Sequence, residues 1–473
     1  MVNCKTIGFL FCTVPFAAIA AGYPRMLKAK ANSAPPYWQG VDASGLVCRG
    51  EQCSVVVEKE VLTLNIPHFP KVVPAEAEAF SYDAKVKADY TFYNPEEYDV
   101  SMTLLFPYGE LPDYADGKEE AQNSIVTLND EATACSVRYT YNADRGFEME
   151  GEIKRISEEK RTGSFYREDM KVTPYTCHVT LPHRSFAGKL YFIFDFNPQK
   201  SKIIFADEHR TRVTSCFSNG YSKAEYSFCD KDEGKQTICF YGVGEPVSVR
   251  DVVLLDEAGA VQSGAYAAVS GEPVSFEEFA LKDRDETCGV SETDYYNAFV
   301  DMLDCRSAPV SITSGDRLDE KDLMRWYEYE LEIVAGGRVN NCVTAPIYPT
   351  IEGKTPRYEY SYLLSPAQKW ADFKSIEIVI ETPYQLTRSS LDFIEQNAEG
   401  TRRYTFSRNS LPQGELTFVL AESGDAGENY GPFGNGILAS RLTVVLVSLS
   451  VIAIIAATVT AVIVMSMSKK KKK

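Results

Sequence analysis

Few residues in this chain have the types and spacing that chemistry needs. The segment "CDKDEGK", Cys229 to Lys235, places Asp230, Asp232 and Glu233 beside Gly234. Closely spaced carboxylates and a turn glycine resemble the opening of a calcium loop. The distal bidentate glutamate of such a loop is missing, so the three residues are calcium candidates set against a plain solvated turn. "KDRDETCG", Lys282 to Gly289, has the same character. Of four histidines, His178 and His183 in "CHVTLPHR" are the nearest pair. A spacing of five on an extended segment points them to opposite faces, which is poor for a shared metal. Cys177 adjoins His178, but a nucleophilic cysteine needs its imidazole in space, not in sequence. No H-E-x-x-H, G-x-S-x-G, Walker A loop or dinucleotide fingerprint occurs. Carboxylates are too numerous for any pair to stand out as an acid/base couple. No catalytic residue is assigned, no cofactor is expected, and nothing positively indicates an enzyme.

The elements that would position such residues are mostly strands. Val86, Ala88, Tyr90 and Phe92 alternate with polar residues, and Val100, Met102, Leu104 and Phe106 do so again after "NPEEYD". Two alternating runs with a short connection predict an antiparallel hairpin with one buried face. Tyr327 to Ile333, Tyr358 to Tyr362, Ile376 to Ile380 and Leu416 to Leu420 alternate likewise. "KLYFIFDF", Lys189 to Phe196, is apolar enough for a sandwich core. The stripe Tyr358, Tyr360, Tyr362 reads as a core face before a ligand platform. Helix signals are few. Ser291 can cap a helix reaching about Leu303, with Asp294 in its first turn, and "SFEEFALKD" near Ser275 is a second candidate.

Composition sets the surroundings. All 66 acidic residues lie between 32 and 440, whereas ten of the 49 Lys and Arg lie outside, so that part is more acidic than the chain-wide −17. Such a surface repels nucleic acid. From Leu442 to Ser468 there is no charge, and Lys469 to Lys473 follow. At about 1.5 Å per residue this crosses a ~30 Å hydrocarbon core, with the lysines on the cytoplasmic side. At the other end, Lys5 and the uncharged stretch Thr6 to Gly22 fit a secretory signal. Ten of the 12 cysteines lie beyond residue 31, an even number that predicts disulfides in an exported chain, Cys48–Cys53 and Cys288–Cys305 being local possibilities. There is no N-x-S/T sequon, and "LPQGE" is not a sortase site, which tilts the source toward a bacterium with a membrane anchor.

The expected class is mainly β: two β-sandwich-like domains with a mixed α/β connecting region, plus one transmembrane helix. The expected divisions are 1–31, signal and processed segment; 35–200, a β-sandwich; 201–321, the mixed region with one helix; 322–420, a second β-sandwich; 421–440, a Gly-rich stalk; 441–468, the membrane helix; and 469–473, the cytoplasmic lysine tail.

Four stretches together, "ADYTFYNPEEYDVSMTLLFP", "TDYYNAFVDML", "WYEYELEIVAGGRVNNCVTAPIYP" and "YEYSYLLSPAQKWADFKSIEIVIETPY", resemble an uncharacterised group of membrane-anchored surface proteins of Gram-positive bacteria with immunoglobulin-like β-sandwich ectodomains. The resemblance covers most of the ectodomain and implies topology and location, not an activity. The expectation is therefore a single-pass protein of the plasma membrane, its ectodomain outside and its C-terminus cytoplasmic. The chain would bind the membrane through its C-terminal helix and an unknown extracellular or envelope protein or glycan through the ectodomain, with no nucleic acid. Two other classes stay open: an extracellular hydrolase of wall glycan or peptide, and an accessory subunit of an envelope complex.

Overall fold

Strands with one apolar side must bury that side against another layer. The computed structural model of the protein describes residues 43–422 except 45, 50–53, 71–81, 111–124, 142–148, 157–158, 163, 184–185, 207–210, 217–220, 229–231, 287–288, 308–311, 315–317, 319–321, 353–356 and 399. The expected signal, the membrane span 441–468 and the lysine tail lie outside the described residues, as does the stalk from 423. Among the described residues no helix is long and apolar enough to cross a membrane.

The chain opens with β1 (Ala43–Ser44), β2 (Val47–Cys48), β3 (Val56–Asn65), β4 (Lys85–Tyr93), β5 (Val100–Glu110), β6 (Ile125–Leu128), β7 (Glu131–Ala132) and β8 (Ser136–Tyr141). A short helix α1 (Met149–Ile153) leads into β9 (Lys171–Thr180), β10 (Lys189–Asp195), β11 (Ser201–Phe205), β12 (Thr211–Cys216), β13 (Tyr221–Ser227), β14 (Lys235–Gly244) and β15 (Ser248–Leu255). Then come β16 (Val261–Gln262), β17 (Ala265–Val269), β18 (Val274–Ser275), helices α2 (Phe276–Leu281) and α3 (Glu292–Ser307), and β19 (Ile312–Ser314). The last part holds β20 (Leu323–Ile333), β21 (Arg338–Pro346), β22 (Thr350–Glu352), β23 (Arg357–Leu363), β24 (Asp372–Phe373), β25 (Ile376–Thr382), β26 (Gln385–Ser389), β27 (Ile394–Ala398), β28 (Thr401–Arg408) and β29 (Leu416–Ala421). The protein is mainly β, as its alternation predicts.

The expected partition at 35–200 and 322–420 does not match the pairing. A nine-stranded sheet runs β27-β28-β25-β3-β4-β21-β6-β7, with β24 at β3. It interleaves strands from both ranges. A four-stranded sheet, β2-β5-β20-β8, and a five-stranded sheet built on β1-β23-β29-β26 do the same. One apolar core fills the space among them, drawn from residues 46–128 and 327–420. Alternation is a local property and says nothing about which distant strand lies alongside.

The middle of the chain has cores of its own. The sheet β12-β13-β10-β15-β16 faces the sheet β17-β9-β14-β11-β19 across an aromatic cluster of Phe192, Phe194, Phe205 and Phe240. This sandwich straddles the expected boundary at 200/201. On its flank α2 and α3 bury Phe276, Phe279, Tyr296 and Phe299 with Val172, Ile204 and Val243. Ser291 caps α3 as expected, the Asp294 amide donating to its Oγ at 3.0 Å, and Ser275 caps α2 in the same way, accepting from the Glu278 amide at 3.0 Å. "KLYFIFDF" enters the sandwich as β10, with Leu190, Phe192 and Phe194 inward.

The predicted hairpin at 85–106 is instead an arch. β4 pairs β3 and β21, whereas β5 pairs β2 and β20, so the chain crosses from one sheet to the other. β20 and β21 make the same crossing, and the two crossings are clamped together at Asn94, which is fully buried. Its Nδ2 donates to Tyr98 O at 2.8 Å, Ile333 O at 3.1 Å and Val334 O at 3.3 Å, and its backbone amide to Gly337 O at 3.0 Å. A buried carbonyl left without its donor costs about 1–3 kcal/mol. Asn94→Ala should therefore lose about that much, measured as a fall in denaturation midpoint at unchanged slope.

No disulfide joins any two of the described cysteines, which corrects that expectation for Cys135, Cys177, Cys239 and Cys342. Cys177 and Cys239 sit on adjacent strands one register step apart, Cys177 opposite Ile238, so their side chains point to opposite faces. Cys53 and Cys288, the expected local partners of Cys48 and Cys305, lie outside the described residues.

Candidate binding face

The outer face of the nine-stranded sheet is a polar surface with two depressions. Every inward residue of β3, β4, β21 and β25 is committed to the core, so the alternate residues must face out. Register then sets them in rows. One row runs Ser407, Glu377, Val61, Asp89, Cys342 and Thr127; the next runs Ile394, Thr405, Val379, Thr63, Lys87 and Thr344. Threonines recur because a β-branched hydroxyl suits a half-buried pleated surface.

Two depressions open on this face. The first, of about 220 Å³, is lined by Lys59, Asp89, Thr91, Thr127, Asp130 and Asn340 among others. Its rim is the turn Asn129–Asp130 between β6 and β7, with φ of 51° and 68°. Both residues are left-handed, as a two-residue turn joining twisted strands requires, and Asn and Asp tolerate this best among residues with side chains. The turn is pinned to β21: the Asn340 amide donates to Asn129 Oδ1 at 2.9 Å and the Asn129 amide to Asn340 O at 2.7 Å. The floor is fixed from below by buried Asn341, whose Oδ1 accepts from Tyr329 Oη at 2.8 Å and whose Nδ2 donates to Thr127 O at 3.2 Å. Thr91 Oγ1 donates to Asn340 Oδ1 at 3.1 Å. The second depression, about 580 Å³, is lined by Glu377, Asp392, Ile394, Gln396, Arg403, Thr405, Phe406 and Ser407. Lys59 bridges toward it through Glu377 at 3.3 Å.

Ion pairs mark this face. Lys87 meets Asp89 at 2.8 Å and Arg403 meets Glu381 at 3.3 Å. The hydrogen bond that it donates to Asp89 raises the Lys87 ammonium above its ordinary range. Burial, helped by the Asp89 carboxylate, pushes the Cys342 thiol up to about 11. A thiol so raised stays protonated at neutral pH and is a poor nucleophile. The face offers hydroxyls, amides, carboxylates and ion pairs, groups that can make hydrogen bonds to a ligand. The carboxyls held above their ordinary range, Glu60 and Asp304, stand in different places: Glu60 in the large core, Asp304 on α3 against Ser164 Oγ at 3.0 Å.

The residues singled out from sequence lie elsewhere. Asp232 is buried and Glu233 exposed in the turn before β14, while Asp230 lies outside the described residues. Among the described residues no group of three or more His, Cys, Asp or Glu is placed to hold a metal ion. His178 packs on Tyr266 at 5.3 Å in β9, and His183 lies edge-on to Phe186 at 5.6 Å beyond the strand end. Tyr358, Tyr360 and Tyr362 are core residues of β23. Asp89, Cys342 and Asn340 had no individual sequence signal; the outward alternation of Lys87, Asp89 and Thr91 was the available clue.

No protein-family model matches the chain, and no curated protein matches it. Among solved structures, one from Legionella pneumophila, described as a candidate nutrient binding protein, is similar at a TM-score of 0.34 and 9% identity, covering 81% of this chain and 72% of that one. A likeness at that level carries no argument about fold or function.

Proposed function

We propose that the protein is a single-pass cell-surface protein that binds an extracellular or envelope component, protein or glycan, through the outer face of its nine-stranded sheet. The observation that carries this reading is the open, hydroxyl- and amide-lined depression between β4, β21 and the Asn129–Asp130 turn, rigidly held from beneath by Asn341. The uncharged stretch 442–468 with its five following lysines, and the signal-like segment at 6–22, support the placement outside the membrane. The strand pairing supports two β-sandwich-like units of a discontinuous kind. One would combine residues 43–141 with 323–422, and the other would be inserted between them.

The test is retention of the purified ectodomain on envelope material. Thr127→Arg with Asn340→Arg places two bulky charges in the first depression and should weaken retention at least about tenfold, or 1.4 kcal/mol. Glu286→Arg, an exposed change within the α2–α3 connection, serves as the charge control. Equal retention of both variants would remove the sheet face from the reading. Digestion of the lysine tail, but not the ectodomain, by protease added to intact cells would reverse the placement.

A further inference from the structure

A glutamate stands where the core of the large body should be hydrocarbon. Glu60 occupies an inward position of β3, in the same row as Leu62 and Leu64, and is 1% exposed. Register places it opposite Tyr90 on β4 and Ile376 on β25. Its carboxyl is hydrogen-bonded by the hydroxyls of Tyr90 and Tyr362, the latter from β23 in the five-stranded sheet. Those two hydroxyls are 3.4 Å apart. Glu60 Oε1 has no hydrogen-bond partner.

The groups facing this carboxyl are few. From β4 comes Tyr90, from β23 Tyr362, and from β20 Tyr329, which acts on Tyr362; β25 contributes apolar Ile376. No Lys, Arg or His among the described residues acts on it. The cluster also holds the start of the described chain. The Leu46 amide donates to Tyr90 Oη at 3.2 Å, Trp370 Nε1 donates to Leu46 O at 3.1 Å, and β1 pairs with β23 at Tyr362. A protonated carboxyl fits here, since it can give its own proton to one tyrosine while accepting from the other. An ionised one is left with tyrosyl donors alone in an apolar, cation-free site, a costly arrangement.

We infer that Glu60 is a proton-dependent latch: while protonated it ties the nine-stranded sheet to β23 and to the segment around Leu46, and on ionisation that junction loosens. Burial pushes its carboxyl up to about 7, against only partial relief from the two tyrosines. The sign follows from linkage. A carboxyl raised above its ordinary 4.5 contributes stability that is complete below that value and is lost as pH climbs through about 7.

The experiment compares the wild-type ectodomain with Glu60→Gln by thermal melting and by amide exchange, from about pH 5.5 to about pH 8.5. In the wild type the melting temperature should fall across this range. Exchange at Leu46, corrected for its intrinsic rate, should rise more than about tenfold. Glu60→Gln should show a flat profile and the higher melting temperature at the alkaline end. Tyr362→Phe removes a donor that favours the ionised form, so the wild-type fall should return with its midpoint shifted to higher pH. Superimposable profiles for wild type and Glu60→Gln would overturn the latch. If Glu60→Gln does not fold, an unshifted Tyr362→Phe midpoint, or a Glu60 carboxyl carbon titrating at its ordinary value in the folded wild type, overturns it instead.

Discussion

Asp294→Ala is expected to lower stability by about 3–5 kcal/mol, the cost of stranding a buried partner charge. Asp294 is 1% exposed and sits in the first turn of α3. It accepts from Arg138 Nη2 at 2.9 Å and Nε at 3.0 Å, and from the Tyr139 amide at 3.2 Å. Nη1 of Arg138 donates to Glu328 on β20 at 2.6 Å, and Glu328 also accepts from Arg49. Burial alone would lower the Arg138 pKa; its hydrogen bonds to Asp294 and Glu328 outweigh that and hold the guanidinium above its ordinary value. The network fastens α3 to β8 and β20 of the four-stranded sheet, so its loss frees the helical flank from that sheet. Asp294→Asn keeps part of the hydrogen bonding and should lose less. A paired Arg138→Met, Asp294→Leu variant should recover much of the loss, because no buried charge is then left alone. Denaturant midpoints across the four proteins decide the matter. A loss below about 1 kcal/mol for Asp294→Ala would mean that the pair is effectively solvated.

Phe240→Ala should cost about as much, roughly 3–5 kcal/mol, for a different reason. Phe240 is fully buried on β14, and its ring meets Tyr175 at 5.0 Å, Phe205 at 5.2 Å, Phe192 at 5.5 Å and Phe194 at 5.6 Å. Removing one ring from so many leaves a void whose walls belong to three neighbouring strands, β9, β10 and β11, in two sheets, and such walls cannot all close in. Phe240→Leu should lose distinctly less. Val261→Ala, at a site 74% exposed, should stay within about 0.5 kcal/mol. Calorimetry of the three variants checks the order.

Sequence alternation located most of the large inward faces: Val86 to Phe92, Met102 to Phe106, Tyr327 to Ile333, Tyr358 to Tyr362 and Ile376 to Ile380 all reach the core. Ser291 marked a helix start correctly because a cap is a contact between residues three apart. Pairing was not legible. "NPEEYD" serves equally as a hairpin loop or as a crossing between sheets, and the deciding contacts of Asn94 are made with residues 333–337. The candidate face was hidden for the same reason. Asp89 and Cys342 meet only because β4 and β21 are neighbours, and nothing near either residue announces the other. Glu60 read as one more charge in an acidic chain, since its burial depends on Tyr90 and Tyr362 converging from separate sheets.

The position of β3 has a consequence for biosynthesis. Glu60 lies against Ile376, so the strand made near the beginning finds one neighbour only when the far end has been translated. Until then β3 has an open edge and β5 lacks β20, leaving sticky rims available to other nascent chains. Strands β9 to β19 between them can pair earlier, since they pair only among themselves. Ribosome-stalled fragments ending before residue 322 should thus contain a protease-resistant middle flanked by an unfolded beginning that depends on a chaperone.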